Sequence, residues 1–288
     1  MSTPEIDPTA PASPEFNRRV FVGISAAATL GAAAVPLSAP ASGGQPHEPL
    51  VPENDPAISV ERVELKRPDI AISAYAARPV RTGKVTPSVV VIMHVWGVDT
   101  SIRDIVRRLA KAGFAAIAPD LYARFGAPSG DGVTDSAVFR PYSKQLDRAQ
   151  YDGDISAAAK WCAQRFPGTK TAVLGFCMGG RIALLASIDD AGTFSAVCPF
   201  YGALTDVDPA KIQAPVCGSY GARDKSIPAD GVRAFAAALH VPNDIKIYDE
   251  AGHAFMDDQR PSYVAWAASD AWARTIAFLG KYLGEPGA

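Results

Sequence analysis

The sequence predicts an α/β fold: a mostly parallel central sheet with helices on both faces. Three observations predict it. Strand-like and helix-like segments alternate through most of the 288 residues, the pattern that builds a parallel sheet through helical crossovers. Ser88–Met93 is apolar apart from its first residue, as a strand covered on both faces must be. A second strand, Thr171–Leu174, runs into the turn Gly175-Phe176-Cys177-Met178-Gly179-Gly180, and a helix-like run from Arg181 to Ile188 follows.

The elements follow in order. Ile58–Lys66 and Ile70–Ala77 alternate in a strand-like way about a Pro68-Asp69 turn, which predicts an antiparallel opening hairpin. After the strand Ser88–Met93, Ile102–Ala112 has helical periodicity with basic residues outside, and Gly113 ends it. Phe114–Ala118 is the next strand, closed by Pro119-Asp120. Residues 124–140 are rich in Gly, Pro and Ser and read as an active-site loop, and Ser143–Arg165 reads as a helix. Ser195–Phe200 and Ala214–Tyr220 are strands, Ala229–Leu239 a helix, Asp244–Tyr248 a strand, and Ser262–Tyr282 a closing amphipathic helix. The functional loops of such a sheet sit at the C-terminal ends of its strands.

The N-terminal residues differ in kind. Arg18-Arg19, Phe21 and a weakly hydrophobic Ala/Gly-rich run to about Ala41 predict a twin-arginine export signal over residues 1–41, and so a periplasmic or secreted protein. Pro36 and Pro40 interrupt that run, which argues against stable membrane insertion. Residues 42–57 are Pro/Gly/Glu-rich and read as a linker, which leaves 58–288 as one globular domain. A formal net charge of −2 without basic blocks argues against nucleic acid as a partner. Cys162, Cys177, Cys198 and Cys217 form no C-x-x-C and no zinc spacing. Cys198 and Cys217 fall in successive strands, as sheet neighbours, and buried free thiols are expected there rather than a disulfide.

Strand, Gly-x-Cys-x-Gly, helix is the nucleophile elbow of an α/β-hydrolase fold, with a thiol where the usual hydroxyl would be. The glycines permit the sharp turn, and the sulfur then lies at a helix N-terminus that favours thiolate. The Lys-Ser/Thr ending of a P-loop is missing and no G-x-G-x-x-G is present, so a phosphate cradle is not expected. A thiol nucleophile needs a base, a group to orient it, and donors for the oxyanion. His47 is in the linker and His240 closes an exposed helix, whereas His253 directly follows the last strand. Asp224 follows the strand around Val216 more cleanly than Asp206 or Asp230 follows any strand. The chain order Cys177, Asp224, His253 is the order this fold uses.

On these residues the chain resembles the dienelactone hydrolase (carboxymethylenebutenolidase) family, from Ile58 to Leu283. The matching segments are Val95-Trp96-Gly97-Val98, Pro119-Asp120-Leu121-Tyr122-Ala123-Arg124, Gly175 to Gly180, Phe200-Tyr201-Gly202, Asp224 and Gly252-His253-Ala254-Phe255. The resemblance implies Cys177 as nucleophile, His253 as base and Asp224 as its orienter. It implies an oxyanion hole from the N–H groups of Val95 and Met178, and Arg124 as the grip on a substrate carboxylate. His94, Trp96, Tyr201 and Phe255 are the further candidate substrate contacts.

The chain also departs from the family pattern. His94 stands where the member acting on dienelactone has an acid, and Ala254 and Asp257 stand where the pattern has Ser and Arg. The expected activity is therefore cleavage of a small ester or lactone through a Cys177 thioester, with dienelactone itself in question. His94 is read either as a cation that stabilises thiolate or as a shaper of the oxyanion loop, and as an ion-pair partner of Asp257. The alternatives are a broad-specificity carboxylesterase or thioesterase, and a degenerate hydrolase fold kept as a thiol-based sensor. No metal or organic cofactor is called for, and the partner is a small-molecule ester or lactone.

Overall fold

In the computed structural model, residues 46–80 and 86–285 are described. The export signal expected over 1–41 and the first residues of the 42–57 segment lie outside them. Strands β1 (Ile58–Lys66) and β2 (Ala71–Pro79) form the expected antiparallel hairpin, Ile58 opposite Pro79. Then come β3 (Ser88–Ile92), α1 (Thr100–Lys111), β4 (Ala115–Pro119), the short α2 (Arg140–Ser143) and α3 (Arg148–Arg165). The elbow strand β5 (Thr171–Phe176) leads into α4 (Met178–Asp189). The chain closes with β6 (Phe194–Phe200), β7 (Ser219–Gly221), α5 (Ala229–Ala238), β8 (Lys246–Tyr248) and α6 (Ala265–Leu283).

The eight strands form one sheet in the order β1-β2-β4-β3-β5-β6-β7-β8. Both pairings of β2 are antiparallel, and from β4 to β8 every pairing is parallel. All residues of β3 and β5 are buried, so their apolar sequences reflect helices on both faces. Ile92 pairs with Gly175 and Phe176 with Phe200. The chain segments after β3, β5 and β6 therefore leave the sheet side by side at one edge.

Three boundaries differ from expectation for local reasons. The helix expected over Ser143–Arg165 starts at Arg148, because Asp147 and Gln150 form a capping box there. The strand expected over Ala214–Tyr220 is laddered only at Ser219–Gly221 and otherwise pairs through single bridges at Val216. Pro215 has no N–H to give a regular ladder. The Gly/Pro-rich 124–140 loop contains two short 3-10 turns and is pinned through Asp131, which accepts from Thr100 N (2.8 Å) and Arg103 Nη2 (2.9 Å). Val197 pairs with Val216, which brings Cys198 and Cys217 onto neighbouring strands as buried free thiols.

The reading of 42–57 as a linker needs correction for its described part. Leu50 N and Val51 N donate to Asp104 at 3.0 and 2.9 Å, and Val51 is buried in the core. Asp104 is fully buried on α1 and also accepts from Arg108 Nε at 2.6 Å, while Arg107 Nε donates to Val51 O. A buried carboxylate needs such partners, and two of its donors here are backbone amides of the preceding segment. Asp104→Ala should leave the Val51 amide without its acceptor and take the shared carboxylate from Arg107 and Arg108, and so lower the unfolding free energy by about 3 kcal/mol. Urea denaturation checks this, and a loss below about 1 kcal/mol would contradict the anchoring role of Asp104.

Candidate active site

The elbow stands at the C-terminal end of β5, in the middle of the sheet. Cys177 is the N-cap of α4 and holds φ 55° and ψ −116°, a strained conformation for a residue with a β-carbon. Cys177 N donates to Phe200 O at 3.0 Å, and Gly180 N donates back to Cys177 O at 3.1 Å. The turn is tight enough that a β-carbon on Gly175 would lie 2.1 Å from Gly179 O. One on Gly179 would lie 2.5 Å from the carbonyl oxygens of Ile92 and Met93. The glycines thus let the first turn of α4 press against both β5 and the end of β3.

His253 and Asp224 arrive from the neighbouring strand ends. Asp224 lies in the loop after β7, and His253 in the loop after β8. His253 Nε2 is 3.0 Å from Cys177 Sγ, and His253 Nδ1 is 2.7 Å from Asp224 Oδ2. The other Asp224 oxygen accepts from Ser226 N (2.9 Å), Ser226 Oγ (2.7 Å) and Ile227 N (3.2 Å). Burial works against ionisation of Asp224, but the bonds from His253 and Ser226 outweigh it and hold the carboxyl below its usual range. Burial likewise disfavours imidazolium at His253. The bonds to Asp224 and Cys177 overcome that penalty and push its pKa up to about 10. The Tyr201 ring packs 5.2 Å from the imidazole and limits its swing.

These groups open onto a cavity of about 550 Å³. Val95 and Met178, the expected oxyanion pair, both line it beside Cys177. Met178 opens α4, where the first amides have no acceptor within the helix. Val95 sits in a tight turn closed by Gly97 N donating to His94 O at 3.1 Å. Tyr122, buried, ties the two together: its hydroxyl donates to Val95 O at 3.1 Å and lies 3.8 Å from Met178 Sδ. Nothing in the sequence singles out Tyr122 beyond its place in the Pro119–Arg124 segment.

The further contacts divide. His94, Trp96 and Tyr201 line the cavity. Phe255 does not: it is fully buried between Tyr201 (5.5 Å) and Tyr248 (5.1 Å) and supports the wall from behind. Arg124 also requires correction. Its Nη1 donates to Asp69 Oδ2 at 2.8 Å and its Nη2 to Asp154 Oδ1 at 2.7 Å, and it does not line the cavity. Asp154 is fully buried and is also paired to Arg67, so it draws the guanidinium towards α3.

His94 is held between two carboxylates. Asp257 Oδ2 lies 3.6 Å from its Nδ1, the pairing expected from the sequence, but the nearer oxygen is Asp99 Oδ1, 2.9 Å from Nε2. That nearer approach lies outside hydrogen-bond geometry. Asp99 is also the N-cap of α1. Arg260 joins both carboxylates, with Nε at 2.9 Å from Asp257 and Nη2 at 3.2 Å from Asp99, and its guanidinium lies 3.5 Å over the Trp96 ring. Arg260, absent from the sequence reading, thus supplies the cation that balances this cluster. Among the described residues no group of three or more His, Cys, Asp and Glu side chains is arranged to hold a metal.

The profile of the dienelactone hydrolase family matches residues 72–283. A protein from Yersinia pestis named "putative carboxymethylenebutenolidase" is 39% identical over 226 residues, 73% of this chain and 84% of the relative. One of the same name from Methylorubrum extorquens is 32% identical over 283 residues, 93% of this chain and 94% of the relative. The crystal structure of a "putative dienelactone hydrolase" from Klebsiella pneumoniae superposes with a TM-score of 0.72 at 33% identity, covering 78% of this chain and 100% of that one. Likeness of this extent, in sequence and in fold, decides the assignment: the chain belongs to the dienelactone hydrolase family and is a carboxylic-ester hydrolase of the α/β-hydrolase fold.

Proposed function

We propose that the chain cleaves small carboxylic esters or lactones through a thioester on Cys177. The observation that carries this reading is the continuous line from Cys177 Sγ through the His253 ring to Asp224, at 3.0 and 2.7 Å. The elevated pKa of His253 keeps its imidazolium beside the Cys177 sulfur, where a nearby cation favours the attacking thiolate. The thiolate attacks the carbonyl carbon, and the Val95 and Met178 amides receive the charge that develops on oxygen. The bond to the leaving oxygen then breaks as His253 delivers its proton there. Water next attacks the thioester, giving a proton to His253 and freeing the acid and the thiolate. Asp224 keeps Nδ1 protonated and the ring aimed at sulfur.

The relatives' name denotes action on a butenolide, which is a lactone, and supports that substrate class. The three departures from the family pattern, His94, Ala254 and Asp257, and the turning of Arg124 onto Asp154 and away from the cavity favour substrates other than dienelactone itself. The sequence of residues 1–41 supports export through the twin-arginine route to the periplasm or medium, and replacement of Arg18-Arg19 by Lys-Lys should retain the precursor in the cytoplasm.

A panel of unsaturated lactones and activated esters, followed by intact mass, should show one acyl group added per chain. The addition should vanish in Cys177→Ala, and an adduct that survives this change would refute the thioester. Asp224→Asn should lower kcat by about 10²–10⁴-fold while Cys177 remains open to alkylation; unchanged turnover would remove Asp224 from its role. The His253 value also fixes a pH window. The pairing adds stability that is fully present below the free-imidazole value of 6.5 and is lost as pH rises through about 10. Histidine-selective NMR should show the His253 ring protonated at pH 8, and in Cys177→Ala its pKa should fall. A neutral ring at pH 8 in the native protein would contradict the pairing.

A further inference from the structure

Arg260 does not line the cavity that Cys177 opens onto, yet its guanidinium joins four segments that meet there. Nε donates to Asp257 Oδ2 at 2.9 Å in the His253 loop, and Nη2 to Asp99 Oδ2 at 3.2 Å at the N-cap of α1. Nη1 donates to Val133 O at 3.0 Å in the 124–140 loop. The fourth contact is the Trp96 ring, whose centroid lies 3.5 Å from the guanidinium carbon. The arginine side chain is only 13% exposed, so water competes weakly for these partners.

Trp96 does line the cavity, and among the described residues its buried Nε1–H finds no hydrogen-bond partner. Packing alone therefore sets the indole. The His94 ring stands edge-on at 5.0 Å, and a β-carbon on Gly130 would lie 2.1 Å from Trp96 O. A desolvated cation over an indole face is a strong contact of this kind. Val95 directly precedes Trp96, and the chain entering their turn is pressed against the first turn of α4. A β-carbon on Gly179 would lie 2.5 Å from Ile92 O and Met93 O. A shift of the indole is thus passed to the adjoining Val95 backbone.

We propose that Arg260 is a positioning residue for ester hydrolysis: through Trp96 it fixes the Val95 amide where the substrate carbonyl oxygen develops charge. This assignment rests on the thioester reading above, in which the Val95 and Met178 amides receive that charge. Asp99, Asp257 and Val133 O take N–H groups from all three guanidinium nitrogens, which leaves the fork one orientation over the indole. Lysine carries the charge but has neither the fork nor the flat face. A residue that acts by placing an oxyanion donor lowers the barrier of the chemical steps and leaves ground-state binding alone.

Arg260→Ala should therefore lower kcat and kcat/KM for 4-nitrophenyl acetate together, by about ten- to a hundredfold, with KM little changed. Arg260→Lys should restore only part of the loss. Alkylation of Cys177 by iodoacetamide separates positioning from general damage, because displacement of iodide at a saturated carbon builds no oxyanion. Cys162, Cys198 and Cys217 are buried, so the alkylation rate reports Cys177, and it should be unchanged in Arg260→Ala. Native kcat in that variant, a change confined to KM, or alkylation slowed as much as acylation would each overturn the proposal. Should Arg260→Ala not fold, the same two rates in Arg260→Lys decide by the same criteria. Failure of the native protein to acquire an acyl group from 4-nitrophenyl acetate would instead remove the thioester reading itself.

Discussion

The approach of the Cys177 sulfur to the His253 imidazole, 3.0 Å across 76 residues of sequence, is the constraint on which the other features of this structure depend. It requires that segments leaving four neighbouring strands be aligned to within a hydrogen-bond length. Backbone bonds that continue past the strand ends supply the alignment. Cys177 N donates to Phe200 O, Tyr201 N to Ser219 O, Ala222 N to Tyr248 O and Arg223 N to Ala251 O, all between 2.8 and 3.0 Å. Register is thereby handed from β5 through β6 and β7 to the loop that carries His253. The strained backbone at Cys177, worth about 1–3 kcal/mol, persists because these bonds and the packed glycines over-determine it.

Charge in the fold serves architecture more than recognition. Asp104, Asp154 and Asp257 are each buried and each held by arginine. The three clusters fasten the 46–57 segment to α1, the β1–β2 turn to α3, and the His253 loop to the start of α1. The last of these reaches the chemistry. Arg260 links Asp99 and Asp257 around His94 and lies on Trp96, so the turn carrying Val95 is braced from both sides. Tyr122 braces the same turn from below through Val95 O. The side of the site that carries Val95 is therefore held by residues whose contacts with each other are mostly polar. The side that carries Cys177 is held by close backbone approach.

Much of this was legible in the sequence, for identifiable reasons. The alternation of strands and helices and the apolar runs at Ser88 and Thr171 gave the sheet and its direction, because periodicity and burial are local signals. Cys177, Asp224 and His253 stood out because each directly follows a strand, and their side chains meet in the structure. The direction of Arg124 was not legible. It depends on Asp154, thirty residues later and inside a helix whose pattern gives no sign of a buried carboxylate. Arg260 was missed for the same reason, since its partners Asp99 and Trp96 are distant in sequence. The anchored Leu50-Val51 segment looked like a linker because composition reports mean polarity, whereas two backbone amides and one valine decide its packing.

The most direct test of the central claim is the pre-steady-state release of 4-nitrophenolate on mixing an activated ester with the protein. If Cys177 is acylated before water attacks, the burst should approach one nitrophenolate per chain, and Cys177→Ala should abolish it. A native protein that hydrolyses the ester with no burst, while 4-nitrophenol release speeds up with added water-like nucleophiles from the first turnover, or a burst that persists without the sulfur, would contradict the account.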